Sequence, residues 1–176
     1  FKHIFNEAWG RFPGIPKISL AHAAALIKRM RPIMDKKLIH IAYHNGNPIG
    51  FFIMMPDLYQ VFKKFNGKLN LINKLRLIYA LRVQKRTTRI IGRIFGVVPE
   101  YHGKGIEGGL IMAFVEYTKK PGFRYVDLEM NWIGDFNPTM MRVCEQINAK
   151  IYKTHVTYRY LFDRDAPFER ASRVNI

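Results

Sequence analysis

Apolar residues in this chain recur in two rhythms, one of period two and one near 3.6, and together they lay out the elements. Leu38 to His44 and Pro48 to Met55 are short blocks of bulky and β-branched residues separated by Asn45-Gly46-Asn47, which predicts a β-hairpin with Asn-Gly at its turn. Ile90 to Val98 predicts a strand that stops at Pro99. Arg124 to Trp132 predicts another, with Val126, Leu128 and Met130 on one face and Asp127, Glu129 and Asn131 on the other. Lys150 to Phe162 alternates bulky and polar residues and reads as a long final strand, with a polar tail from Asp163. Helical spacing runs from the capping residue Ser19 to Met34, with Leu26, Ile27 and Met30 on one face and Lys28, Arg29 and Arg31 on another; Pro32 stands where it can end that helix early. It returns over Leu110, Ile111, Phe114 and Val115, ended by Pro121-Gly122, and over Pro138 to Asn148, where the proline suits a first turn. Phe1 to Pro16, broken by Gly10, Pro13, Gly14 and Pro16, reads as extended or turn-rich.

Residues 56–88 interrupt this alternation. Leu58, Val61, Phe62 and Phe65 form one apolar stripe, and past Gly67 a second is formed by Leu71, Leu75, Ile78 and Leu81 with Ile72 and Tyr79. Lys63, Lys64, Lys68, Lys74, Arg76, Arg82, Lys85 and Arg86 lie among them, so two basic amphipathic helices are expected as an insertion between strands that otherwise adjoin. Apolar stripes at this spacing mostly face a core, here the sheet edge or a substrate cleft; docking on an anionic membrane surface is the second reading. The order helix, two strands, helical insert, strand, helix, strand, helix, strand defines an α/β (α+β) layer fold on a mixed sheet, in a single domain over 1–176. Phe1 in place of an initiating Met is compatible with the C-terminal part of a longer protein.

Charge narrows the partners. With 29 Lys+Arg against 13 Asp+Glu the chain carries +16, which attracts cofactor phosphates, nucleic acid or a membrane surface. The basic residues are interleaved with apolar ones and no helix-turn-helix, RNP or zinc pattern accompanies them, so specific nucleic-acid binding is the weakest of the three. The single cysteine, Cys144, excludes an internal disulfide and a cysteine-rich zinc site and favours a reducing, cytoplasmic setting. His40 and His44 share one face of their strand, but no third ligand stands at a fitting spacing, and an exposed strand face is expected there instead of a metal pair. No run approaches the ~20 apolar residues of a transmembrane helix, and no signal peptide opens the chain.

The candidate chemistry centres on Arg93 to Lys120. A strand ends at Pro99, a short loop holds Gly103 and Gly105, and a helix begins. Glycines there let a ligand approach the backbone, and the free N–H groups of a first helical turn suit phosphate. The spacing is neither that of a dinucleotide fold nor that of a P-loop. Val97-Val98-Pro99-Glu100-Tyr101-His102-Gly103-Lys104-Gly105-Ile106 resembles the acyl-CoA signature of the GNAT acyltransferase superfamily, Arg/Gln-x-x-Gly-x-Gly/Ala after a Val-x-Pro strand. The resemblance implies a mixed, mostly antiparallel sheet flanked by helices. It also implies that the loop amides hold the CoA pyrophosphate while the strand backbone pairs with pantetheine. His102 departs from the usual Arg or Gln, and Glu107 from the usual small residue, with Gly108 and Gly109 following.

Further on, Glu129-Met-Asn-Trp132, Asn137, Met140-Met141, Tyr152-Lys153 and Tyr158-Arg-Tyr160 are similar to a bacterial branch of the same superfamily. The resemblance implies cofactor contacts from Val97, Val98, His102, Gly103, Lys104, Gly105, Ile106, Glu107 and Asn137. It places Cys144 where many members carry the tyrosine that protonates the leaving thiolate. Acyl transfer from a thioester to an amine needs a base, a dipole on the carbonyl and an acid for the thiolate. Glu129, on the polar strand face, is the candidate base; a strand carboxylate of this kind otherwise pairs with one of the many arginines. A backbone N–H of Val97 or Val98 is the candidate dipole, provided that strand is not fully paired. Tyr158 and Tyr160 are candidate acids or substrate contacts, against packing residues. The reading is an N-acyltransferase using acetyl-CoA or another acyl-CoA on an unknown amine, in a ternary complex. Its alternative is a non-catalytic acyl-CoA or lipid-surface binding module. Peripheral contact with anionic membrane and a homodimer remain open.

Overall fold

The computed structural model describes residues 1–167 apart from 11, 13 and 131. The described chain forms two compact units, Phe1–Asn131 and Trp132–Ile176.

The first unit is built on a sheet of four strands in the order β1 (Ile39–His44), β2 (Asn47–Pro56), β3 (Arg89–Val97), β4 (Asp127–Met130). β1, β2 and β3 pair antiparallel, and β4 joins β3 in parallel. The hairpin closes through Asn45 and Gly46, both at positive φ (49° and 77°), as a tight turn matching strand twist requires. Adjacent residues of β2 then face opposite layers. Phe52 and Met54 pack with Ile90, Val97, Leu110 and Phe114 beneath helix α5 (Ile106–Thr118). Phe51 packs with Ile4 and Val98 beneath helix α1 (Lys2–Ala8). Gly50 allows the close approach of α5, because a Cβ there would stand 3.3 Å from Leu110 Cδ1.

Helix α1 corrects the extended reading of residues 1–16. Seven residues are too few to hold a helix on propensity alone. Ile4 is fully buried, however, Phe1 stacks on Phe51 at 5.6 Å, and the Asn6 side chain both donates to the Ile18 carbonyl and accepts from the Ile18 N–H. Helix α2 (Leu20–Met30) starts at Ser19, whose Oγ accepts from the His22 N–H, and stops just short of Pro32. Its expected apolar face is largely solvated, since only Ala23 is buried while Leu26 and Ile27 are exposed.

The insertion lies between β2 and β3, as one turn α3 (Tyr59–Phe62) and a helix α4 (Leu71–Arg82) capped by Asn70. Its own small core consists of Val61, Leu77, Ala80 and Leu81, with Ile33, Leu58, Phe62 and Phe65 against it. The stripe expected to cover the sheet edge or a substrate cleft is therefore corrected: Leu81 packs into this small core, and Leu71, Ile72, Leu75 and Tyr79 are exposed. Arg82 ties the insertion down by donating from Nη2 to the carbonyls of Arg31, Pro32 and Met34.

In the second unit Asn137 caps helix α6 (Pro138–Gln146), with Pro138 in its first turn as expected. The strand expected over Lys150 to Phe162 is a correction, because that segment carries no strand and Ile151, Val156, Tyr158 and Phe162 are exposed. Alternation equips a segment to pair; it supplies no partner.

Candidate functional site

The site lies where β3 passes into α5. Pro99 to Tyr101 forms a single 3-10 turn, and Gly103 and Gly105 take the left-handed conformation at φ 68° and 80°, which reverses the chain into the helix. Gly105 is the N-cap and offers no side chain, so the first-turn amides of a thirteen-residue helix stay uncapped. A Cβ on Gly103, Gly105, Gly108 or Gly109 would meet nothing within 4 Å, which makes this end of the helix a bare backbone surface. Lys104 Nζ sits 5.2 Å above the Tyr101 ring, adding a cation to the same loop. Bare amides, a helix dipole and a lysine suit a phosphate group. Glu107, in the first turn, favours the helix dipole but brings a carboxylate beside that surface.

Beside the loop, β3 has an open edge. β4 pairs only with Arg89–Gly92, ending with Met130 opposite Gly92, so Arg93 to Val97 run on with no strand on that side among the described residues. The carbonyls facing this side are closed by side chains. Phe95 accepts from Trp9 Nε1 at 3.1 Å, and Val97 accepts from His102 Nε2 at 2.8 Å. A carbonyl only accepts, so His102 carries its proton on Nε2. The Val98 N–H donates to the Ile49 carbonyl at 2.8 Å, which corrects its place as a candidate dipole for a substrate carbonyl. Strand alternation turns the Val97 N–H to the open side.

Glu129 lies on β4 with its side chain 25% exposed, and its Oε2 is 3.5 Å from Arg89 Nη1; Arg89 Nη2 is 3.7 Å from Asp127 Oδ2. Glu129 and Asp127 thus share one guanidinium across the β3–β4 pair. Leu128 and Met130 pack against the core as expected; Val126, ahead of the strand, is exposed, and Asn131 lies outside the described residues. In the second unit the Asn137 Oδ1 accepts from the Met140 N–H at 3.0 Å, so its carbonyl oxygen is committed to capping α6. Cys144 is half-buried; burial, then the Glu145 charge, pushes its thiol up. That makes it a poor nucleophile. Tyr158 and Tyr160 are exposed, which corrects the packing alternative, and Arg164 stacks over the Tyr160 ring at 4.2 Å.

The exposed face expected for His40 and His44 is also corrected in part. His40 is half-buried edge-on to Phe114 and Tyr117, and desolvation lowers its pKa. His44 is exposed and shares a 3.0 Å hydrogen bond with the Tyr101 hydroxyl. No cluster of three or more His, Cys, Asp or Glu suited to a metal exists among the described residues. Trp9 and Arg89, which shape the β3 edge and hold Glu129, carried no sequence signal. Each acts on a partner remote in sequence.

No protein-family model matches the chain. It is 27% identical over 160 residues to Protein YghO of Escherichia coli, covering 89% of this chain and 40% of that protein. It is 23% identical over 161 residues to a bacterial ceramide synthase of Caulobacter vibrioides, covering 88% and 41%. The chain therefore spans about two fifths of the length of these curated relatives. Among solved structures it resembles AAC(6')-Iy in complex with a CoA bisubstrate analogue, at a TM-score of 0.55 and 17% identity over 91% of this chain and 88% of that one. A putative acetyltransferase from Agrobacterium tumefaciens gives 0.54 and 15% over 90% of each. The aminoglycoside 6'-N-acetyltransferase AAC(6')-IG from Acinetobacter haemolyticus gives 0.51 and 14%, over 92% and 90%. The chain has the GNAT acetyltransferase fold.

Proposed function

We propose that this chain is the catalytic domain of an acyl-CoA-dependent N-acyltransferase that passes the acyl group directly from the thioester to an amine. The observation that carries the reading is the junction of β3 and α5, where bare amides at Gly103 to Gly109 adjoin an unpaired strand edge. CoA supplies the activated acyl thioester; the loop amides and Lys104 hold its pyrophosphate, and the Val97 N–H polarises the acyl carbonyl. Glu129 takes the proton released when the amine attacks, and the carbon–sulfur bond breaks with a proton going to the thiolate. Tyr158 and Tyr160 are the candidates for that proton.

Acetyl is the donor favoured by the likeness to aminoglycoside acetyltransferases. The relative named a ceramide synthase favours a long-chain amine as acceptor and a longer acyl donor as the alternative to acetyl. The lone cysteine suits a cytoplasmic setting. Calorimetric titration with acetyl-CoA, desulfo-CoA and a long-chain acyl-CoA, followed by transfer assays on aliphatic amines, tests this. Saturable binding with amide formation is expected, and absence of binding to every CoA form overturns it.

One observation favours the alternative of a non-catalytic binding module: Glu129 is already engaged by Arg89. Binding of acyl-CoA without turnover on any amine would select it.

A further inference from the structure

The geometry points to α4 as a membrane-surface helix that docks this domain on anionic lipid through its outward apolar face. The helix is built inside out for a solvated element. It buries Asn73, whose Nδ2 donates to the Lys68 carbonyl at 2.8 Å and whose Oδ1 accepts from the Asn70-capped turn's neighbour Arg76 at 3.4 Å. It exposes Leu71 (72%), Ile72 (61%), Leu75 (63%) and Tyr79 (53%). At about 100° per residue these four fall within one arc of roughly 100°, and the buried Asn73, Leu77, Ala80 and Leu81 occupy the opposite side. The outward arc therefore faces away from the core that holds the helix in place.

Charge says what that arc meets. On the same wheel Lys74 and Arg76 stand on either side of the apolar arc, both exposed, with Asn73 holding Arg76 at its rim; Arg82, which falls within the arc at the helix's last residue, is turned onto the carbonyls of Arg31, Pro32 and Met34. No Asp or Glu occurs between Asp57 and Glu100, and Lys63, Lys64, Lys68, Lys85 and Arg86 are all exposed in that stretch. An apolar arc with basic residues along both borders is the pattern of a helix lying in the headgroup region, where the apolar side chains enter the acyl boundary and the cations meet lipid phosphates. A second copy of this chain would bring the same basic rim against itself and is disfavoured by repulsion at a net charge of +16. The docking needs neither CoA nor turnover, so it stands apart from the enzymatic reading.

The test uses the full-length protein in flotation with phosphatidylcholine vesicles and with vesicles containing phosphatidylglycerol. Binding is expected only to the anionic vesicles, weakening as salt rises. It should fall roughly tenfold or more in Lys74→Glu/Arg76→Glu and in Leu71→Ser/Leu75→Ser, with an unchanged thermal melt for the second pair, whose side chains are solvated, and a melt lowered only by the lost Arg76–Asn73 hydrogen bond for the first. Tyr79→Trp supplies a second readout, in which brominated lipid should quench the added indole. The proposal is overturned if the parent ignores anionic vesicles, if it binds both vesicle types equally, or if the arc and rim variants bind as well as the parent. It is also overturned if Trp introduced at 79 escapes quenching, or if the parent is a dimer that Leu71→Ser/Leu75→Ser dissociates. The last result would assign the face to a second copy.

Discussion

His102 reaches back over its own loop to donate from Nε2 to the Val97 carbonyl at 2.8 Å, and so fixes the last peptide of β3 before the helix turn. The imidazole replaces a strand neighbour at the point where β4 has already ended. The residue that the resemblance counts among the cofactor contacts thus also acts on the strand that precedes it.

Replacing His102 by Ala should leave the Val97 carbonyl to water and cost about 1 kcal/mol of stability. It should also weaken acyl-CoA binding, because the Val97 peptide is no longer held. His102→Gln, which retains an N–H donor, should recover part of both in denaturant melts and titrations. Equal binding by the parent and His102→Ala would remove the bond from the site.

Gly108 and Gly109 separate binding from folding. Both are helical, and a Cβ at either meets nothing within 4 Å, so Gly108→Ala and Gly109→Ala should each stabilise the protein by about 0.5–1 kcal/mol. If the bare helix end holds the pyrophosphate, the same changes should weaken acyl-CoA binding roughly tenfold, the worth of one charge-assisted hydrogen bond. Stability and affinity moving in opposite directions in the same variant is the result expected. Affinity that stays constant would place the ligand elsewhere.

Glu129→Gln keeps the shape of the side chain and removes the carboxylate proposed as the base. Turnover should drop by about 10²–10⁴ while acyl-CoA binding is unchanged. Arg89→Met, which removes the ion pair to Glu129 and Asp127 together, should change turnover more than the binding of CoA. Full turnover in Glu129→Gln would dismiss it as the base.

His40 gives a stability signature in acid. Its pKa is lowered from the ordinary 6.5 by desolvation, opposed by a hydrogen bond that the ring donates to the Lys37 backbone carbonyl, and its Nε2 is buried without a partner. The unfolded chain then binds a proton before the folded one, so stability is full above about pH 6.5 and falls as the pH drops toward the lowered value. His40→Phe retains the edge contacts with Phe114 and Tyr117 and should remove this component. Thermal melts of parent and variant at pH 7.5 and pH 5 measure it.

The hairpin, the Ser19 cap, the loop glycines and the proline-started α6 were legible in the sequence because each is settled within a few residues. An Asn-Gly pair wants positive φ, a serine wants a nearby N–H, and a proline wants the first turn whatever lies beyond. Helix spacing likewise located α4. It could not say which side of α4 turns inward, since apolar residues line both arcs, and only the packing of Leu77 and Leu81 onto Val61 decided it.

Tertiary structure alone decided that residues 2–8 form a helix, that the Val98 N–H is spent on Ile49, and that Glu129 faces Arg89. Alternation over Lys150 to Phe162 likewise announced a strand that found no ladder. The physical reason is common to all four. Local order is written by backbone sterics and by side chains a few positions apart, whereas strand edges, ion pairs and buried faces are set by groups far apart in the chain, whose meeting no local pattern encodes.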